Sequence, residues 1–418
     1  MGWRSSKSPL FSESNAQSKK FDACGKPVPM SAPHRFVILS NVYDENYQKA
    51  RGEEIPPCLS SPKRRDLFTA IQLALGWELV ILSSPPRASV RRHGRWLPLV
   101  DTRFDRFPQH FCANWDLPKL RIPFSWVMYA LHVARHVRKG DVLMMDNFEL
   151  IYVLAAWLCR LLYGCSILLD YEDGKHLTDR GWPRLISGPA EELGRALIQG
   201  AILAHPCLGE RLPARIPKVT IPGFYKPGAK INRPEHPLPK VHFIYAGSLD
   251  EPRGMNLLIQ ALPYLPKEGW RLDITGSGPF ADTWQSMAQD CRFSGKLFFH
   301  GVISAEDHAR LLGRCHVGLN LQLGSDPIST VTFPSKIFSY LSAGLEVIST
   351  EASGVKDLLG EDCIYLSEEN PRALAAIMAD RARFLRPQTA PTAVGNFSIP
   401  STAVRLKAFF QEVWLKRP

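Results

Sequence analysis

A chain of 418 residues, 45% hydrophobic and 22% charged, is too long for a single core and too apolar for a disordered polymer, so it divides into two folded domains. Its formal net charge of +11 calls for an anionic counterpart, either a nucleotide diphosphate or a lipid surface; without a helix-turn-helix, zinc-finger or RNA-binding aromatic motif, nucleic acid is set aside. The nine scattered cysteines hold no CxxC pair, which argues against a zinc site or a disulfide framework and places the chain in the cytoplasm.

Residues 1–34 are rich in Ser, Lys and Pro and read as a flexible arm; the match of Met1-Gly2 and Ser6 to a myristoylation pattern is too short to carry weight. From Arg35, short apolar runs alternate with helical segments, the rhythm of a parallel α/β domain over 35–221. Strands are expected at Phe36–Ser40, Trp77–Leu82, Asp141–Met145, Ser166–Asp170, Ala201–His205 and Lys218–Ile221, with helices over Asp66–Leu75 and Phe124–Val137. The apolar stretch Ile151–Leu169 is broken by Arg160 and Tyr163-Gly164, so it reads as helix, turn and strand rather than as a membrane span. Residues 222–240, with five prolines and two glycines, form the linker.

A second alternating series fills 241–390. Its strands are Val241–Ala246, Arg271–Thr275, Lys296–His300, Val317–Leu321 and Glu346–Ser349. Its helices are Met255–Leu265, Ala305–Arg314, Ser335–Ser342 and Pro371–Phe384. In the tail, 391–418, a last helix aligns Leu406, Phe409, Phe410, Val413 and Trp414 on one face, which is expected to pack back toward the first domain. The fold class is thus α/β, with two Rossmann-like domains facing each other across a cleft at the carboxyl ends of their strands.

Four segments of the second domain carry chemistry. Gly247 follows the first strand, and Arg253-Gly254 opens the next helix. That arrangement lets a backbone approach a phosphate while the guanidinium offers a fork of donors, although a strand–turn–helix with a surface arginine looks the same. Gly276, Gly278 and Pro279 fix a second tight loop at the same sheet edge, and a plain connecting turn would use the same residues. Phe298–Val302 runs into Gly301, where backbone groups could meet a nucleobase; His300 is given no role. In Thr332–Gly344, Pro334 sets the turn, Ser335 is placed to cap, and Lys336 enters the first helical turn against the dipole, a mismatch that an anion would relieve.

In the first domain, Asp170, Glu172 and Asp173 follow a strand. Glu172 and Asp173 are the candidate catalytic carboxylates, able to position an acceptor hydroxyl or act as a base, while helix capping and solvent exposure are the plain alternative. Asp146 and Asn147 at the neighbouring strand end are candidate acceptor contacts. A basic tract, Lys63, Arg64 and Arg65 with Arg87, Arg91, Arg92, His93 and Arg95, reads first as a solvated face. Its functional alternative is peripheral contact with an anionic membrane, at the inner face. No alternation of His and carboxylate suggests a metal.

Taken in order, GSLDEPRG, TGSGP, FFHGV and FPSKIFSYLSAG resemble the donor domain of family-four retaining GT-B glycosyltransferases (glycosyl transferases group 1) over about Val241–Met378. The match is looser over Asp141–Asp173 and at Thr220–Gly223. The resemblance implies a nucleotide-diphosphate sugar as co-substrate, a glycan or lipid-linked acceptor, and no metal or other cofactor for chemistry. It implies that Arg253 is the basic residue on the donor diphosphate and that Ser335 and Lys336 match a proline-serine-lysine variant of the motif. Ser248 stands where many members have arginine, and Lys336 would supply that charge. Ser339 stands where members usually have a ribose-binding glutamate, and Val331 where they have its partner. The leading expectation is a retaining transferase of surface polysaccharide or glycolipid assembly. The missing glutamates favour the alternative, a degenerate GT-B protein that binds nucleotide sugar or a partner without catalysis. A dinucleotide oxidoreductase is weaker, since neither half opens with GxGxxG.

Overall fold

The structure, a computed structural model, describes residues 35–52, 55, 58, 60–86, 96–115, 121–172, 174, 182–228, 240–383 and 391–415. The first domain opens with β1 (Arg35–Leu39), α1 (Glu45–Arg51), α2 (Ser61–Leu75) and β2 (Glu78–Ser83). There follow β3 (Trp96–Leu97), β4 (Val100–Phe104), β5 (Phe107–Phe111), β6 (Asn114–Trp115), α3 (Arg121–His136) and β7 (Val142–Asp146). It closes with α4 (Leu150–Tyr163), β8 (Ser166–Tyr171), α5 (Trp182–Leu197), β9 (Gly200–Leu203) and β10 (Lys218–Thr220). These strands order as β10-β9-β8-β7-β1-β2-β5-β4, parallel except for the β4–β5 hairpin, and β3 pairs with β6 in a separate ribbon.

The second domain comprises β11 (Val241–Ser248), α6 (Met255–Ala261), β12 (Trp270–Ser277), α7 (Ala281–Gln289), β13 (Leu297–Phe299) and α8 (Ala305–Leu312). It continues through β14 (Val317–Asn320), α9 (Lys336–Ser342), β15 (Glu346–Thr350), α10 (Val355–Leu359), β16 (Ile364–Leu366) and α11 (Pro371–Arg383). Its sheet, β13-β12-β11-β14-β15-β16, is wholly parallel. In chain order this is 3-2-1-4-5-6, so the direction of winding reverses between β11 and β14; in the first sheet it reverses between β1 and β7. Crevices for ligands form at such switch points, outside the carboxyl ends of the strands.

Apolar residues of alternate parity separate the two faces of the first sheet. Leu39, Met145 and Leu169 face α3, α4 and α5, while Ile38, Met144 and Leu168 face α2. The final helix, α12 (Ile399–Leu415), completes that second face. Phe410 meets Phe36 with ring centroids 5.7 Å apart, and Trp414 stacks on Trp77 at 5.1 Å. Gly200 makes room for the helix, since a Cβ there would stand 2.6 Å from Val413. The chain crosses between domains beneath Phe338, where a Cβ on Gly223 would come within 2.3 Å of the ring.

Several elements escaped the sequence pattern. Helix α5 contains Pro189 and Gly194, which local propensity counts against it; Gly194 is there because a Cβ would sit 2.3 Å from Phe148. The β4–β5 hairpin turns on Asp105 at φ 55°, without the glycine that would have marked it. Helix α2 begins at Ser61, five residues before the expected start. Pro62 pre-sets its first turn and so draws Lys63, Arg64 and Arg65 into the helix.

Candidate active site

On the donor side, β11 and β12 run side by side to their ends, pairing Gly247 with Gly276 and Ser248 with Ser277. The glycines serve different purposes. A Cβ on Gly276, at φ 139°, would lie 1.8 Å from the Gly247 carbonyl oxygen, and one on Gly254 would lie 2.1 Å from that of Leu321. Those two, like Gly278 beside Leu249, permit close packing of the chain itself. Gly247 is different: a Cβ there would meet only the Lys336 ammonium, 4.0 Å away. Its missing side chain keeps the space before Lys336 open.

Lys336 has a buried Nζ without a hydrogen-bond partner, lying 3.7 Å from the centre of the Tyr245 ring. Burial, and then the charge of Arg253, hold its pKa well below the ordinary lysine value. Tyr340, one turn further along α9, accepts the Ala246 N–H at 2.8 Å and so fixes the helix to β11. The Ser335 side chain makes no capping bond, contrary to expectation: its backbone is already helical rather than extended. Ser335 and Ser339 are exposed, as are Ser248, Gly278 and Pro279. Gly301, at φ 60°, accepts from the Thr275 hydroxyl and the Gly276 N–H. His300 pairs with buried Asp273 at 2.8 Å, which accounts for a histidine there without any ligand.

Arg253 is held by a residue the sequence pattern did not single out. Its guanidinium donates to Gln322, which is fully buried just beyond β14 at the switch point. Gln322 in turn donates to the Ser353 hydroxyl at 2.7 Å. The Ser353 carbonyl, on a residue at φ 62°, is reached from the first domain by His205 Nε2 at 3.2 Å. Because the Cys207 N–H donates to Nδ1 of His205, the proton sits on Nε2 and is donated to Ser353; burial lowers the His205 pKa and keeps the ring neutral. A polar chain therefore runs from the first domain to the Arg253 guanidinium. Gln322→Leu will lower affinity for a nucleoside diphosphate by about tenfold in a calorimetric titration, since Arg253 loses its charge-assisted anchor.

Val331, at the position of the family's partner glutamate, is buried in the apolar cluster of the first domain beside α3–α5. That position packs one domain on the other instead of offering a carboxylate.

On the acceptor side, the basic tract is corrected at its first two members. Arg64 is buried and bridges Asp146 and Asp170, and Lys63 pairs with Glu172 at 2.5 Å. They belong to the carboxyl edge of the first sheet, not to a solvated face. Arg87, Arg91, Arg92, His93 and Arg95 lie outside the described residues, as does Asp173. Ser40 donates to Asp146 at 3.0 Å; Asn147, at φ 58°, donates to Asp146 and accepts the Glu172 N–H at 2.8 Å. Two cations thus meet three carboxyl groups in one cluster. Burial pushes the Asp170 carboxyl up, against the pull of Arg64. Burial would also raise Glu172, but Lys63 and Arg64 outweigh it and hold the group below its usual range. Glu172 is consequently a weak base and a firm acceptor of hydrogen bonds.

The sequence profile of the family described as Glycosyl transferases group 1 matches residues 240–382. No curated protein matches the chain in sequence. Among solved structures, sucrose-phosphate synthase from Thermosynechococcus elongatus superposes with a TM-score of 0.62 at 13% identity, over 92% of this chain and 100% of that one. Anabaena HepE in complex with UDP-glucose gives 0.57 at 13%, over 91% and 96%. The catalytic domain of starch synthase IV from Arabidopsis thaliana, bound to ADP and acarbose, gives 0.63 at 10%, over 92% and 100%. At such identities the structures establish the fold and no more: the chain has the two-domain GT-B fold, and residues 240–382 within its second domain match the profile of glycosyl transferases group 1.

Proposed function

We propose that the protein transfers a sugar, with retention, from a nucleoside-diphosphate sugar to a glycan or lipid-linked acceptor in the assembly of a surface polysaccharide or glycolipid. The observation that carries this reading is the buried, unpartnered Lys336 ammonium behind Gly247, with Arg253 close enough to depress its pKa further. Two cations held together, with Asp250 too weak to offset the burial of Lys336, suit a diphosphate, which would restore the charge that burial suppresses. HepE and starch synthase IV, of the same fold, carry UDP-glucose and ADP in their structures. The remaining donor contacts are Gly247, Ser248, Gly254, Gly276, Gly278, Pro279, Gly301, Ser335 and Ser339.

As the glycosidic bond to the donor breaks, Lys336 and Arg253 stabilise the departing diphosphate by position and charge, and the residues of this chain supply the step without a metal. Across the cleft, Asp146 and Asn147 contact the acceptor. Glu172 and Asp173 are its carboxylates, and the lowered pKa of Glu172 favours orienting the acceptor hydroxyl over removing its proton. Buried Val331 and exposed Ser339, in place of two carboxylates, favour a second reading in which the protein binds nucleotide sugar without turnover. Incubation with UDP-, GDP- and ADP-sugars and a panel of glycan and lipid acceptors decides between them. Release of diphosphate with a new glycosidic bond of the donor's anomeric configuration supports transfer; binding of a nucleotide sugar with no product supports the second reading.

A further inference from the structure

Helices α3, α4 and α5 lie side by side on one face of the first sheet, their inner residues sharing a single core with Leu39, Met145 and Leu169. Their outer faces are unusual. Among the described residues, nine of the sixteen exposed large apolar side chains belong to these three helices. Leu161 is 76% exposed and Leu185 65%, with Val127, Leu131, Leu154 and Leu162 among the others. They lie on three adjoining helices, a concentration that singly scattered surface side chains would not give. Neither α3 nor α4 contains an Asp or Glu, and the exposed cations Arg135, Arg138, Lys139 and Arg184 lie on or beside the three helices.

We infer that this face docks on an anionic lipid bilayer. An apolar surface bordered by Arg and Lys binds by burying its leucines at the headgroup boundary while its cations meet anionic lipids. A second copy of the chain fits less well, because a two-fold contact would set the same cations against each other with Glu192 as the exposed acid available on these helices. No helix of the described residues is long and apolar enough to cross a membrane, so the face lies on the bilayer. Exposed Trp96 and Trp115 pack edge to face, and Trp115 reaches Phe124 in the first turn of α3. Since α3 leads into β7, that turn stands at the carboxyl edge of the sheet, so these rings border the face on the cleft side; Trp is a side chain suited to a membrane interface. The face would present the acceptor edge, with Asn147 and Glu172, to molecules carried in the bilayer.

This inference rests on the lipid-linked acceptor among the proposed readings, but its test does not require turnover. Full-length protein is sedimented with vesicles of phosphatidylcholine mixed with phosphatidylglycerol, and with phosphatidylcholine alone, at low and high salt. Binding is expected to the mixed vesicles, to weaken with salt, and to fall on the order of tenfold in Leu161→Ser/Leu185→Ser and in Arg135→Glu/Arg184→Glu. Because these positions are exposed, nucleotide-induced thermal shifts will be unchanged in both variants. Wild-type protein that ignores anionic vesicles overturns the inference, as do variants that bind like wild type. A concentration-dependent dimer lost in the leucine variant would assign the face to a second copy and overturn it as well. Vesicle binding with no nucleotide response would leave the docking intact and sink the donor site instead.

Discussion

Lys336→Ala will weaken binding of the cognate nucleoside diphosphate by about ten- to a hundredfold while leaving the fold intact. A hydrogen bond to a charged group contributes about 1.5–3 kcal/mol, and each 1.4 kcal/mol is a factor of ten. Folding should not suffer, because the ammonium is buried without a hydrogen-bond partner in the free protein and its removal relieves a desolvation penalty. The same geometry fixes the pH dependence. In the free protein, burial and Arg253 lower the lysine pKa; a bound diphosphate raises it again. Binding therefore takes up a proton between those two values. Affinity is fully present below the free pKa and declines as pH rises through the window. A titration across pH that shows rising affinity in the alkaline range would contradict this assignment, and Lys336→Arg, which keeps a charge, should retain more affinity than alanine.

Arg64→Ala will destabilise the first domain by about 3–5 kcal/mol, the usual consequence of removing one partner from a buried ionic cluster. Asp146 and Asp170 would be left with Ser40, Asn147 and Lys63 as their nearest polar company, and Asp170 already has one oxygen without a partner. Chemical denaturation measures the loss directly. Arg64→Lys should recover only part of it, because one ammonium cannot reproduce the fork that reaches both carboxylates. A loss of under about 1 kcal/mol in the alanine variant, the scale of an exposed pair, would show that the cluster is solvated. Should the protein remain folded, acceptor-dependent turnover should drop more than nucleotide binding, since the cluster orients Asn147 and Glu172 at the edge of the first sheet.

Much of the fold could be read from periodicity because parallel strands are apolar on both faces and end in glycine or acid. Val241–Ala246 and Ser166–Asp170 are of this kind. Helix α5 could not be read so, because Gly194 answers to Phe148, 46 positions away in the chain by residue number, and Pro189 breaks the local pattern. The proposed donor site rests on glycines and a lysine that stand out in the sequence, though in the structure the glycines have separate jobs: Gly247 leaves space open before Lys336, whereas Gly254 and Gly276 let backbone pass backbone. Gln322 carried one signal, its place just beyond a strand at the switch point, and that signal becomes useful only once strand order is known. Lys63 and Arg64 were hidden by their company. In a run of basic residues nothing local distinguishes the two that face the sheet edge from those that face solvent, and only the early start of α2 at Pro62 turns them inward.

Binding of a nucleoside diphosphate between Gly247, Arg253 and Lys336 can be measured by calorimetric titration of UDP, GDP and ADP into wild-type protein and Lys336→Ala, in two buffers of different ionisation enthalpy. Saturable binding of one of the three with proton uptake is expected, and weaker binding without that uptake in the variant. Equal affinity in both proteins, or no binding of any nucleotide to the wild type, would contradict it.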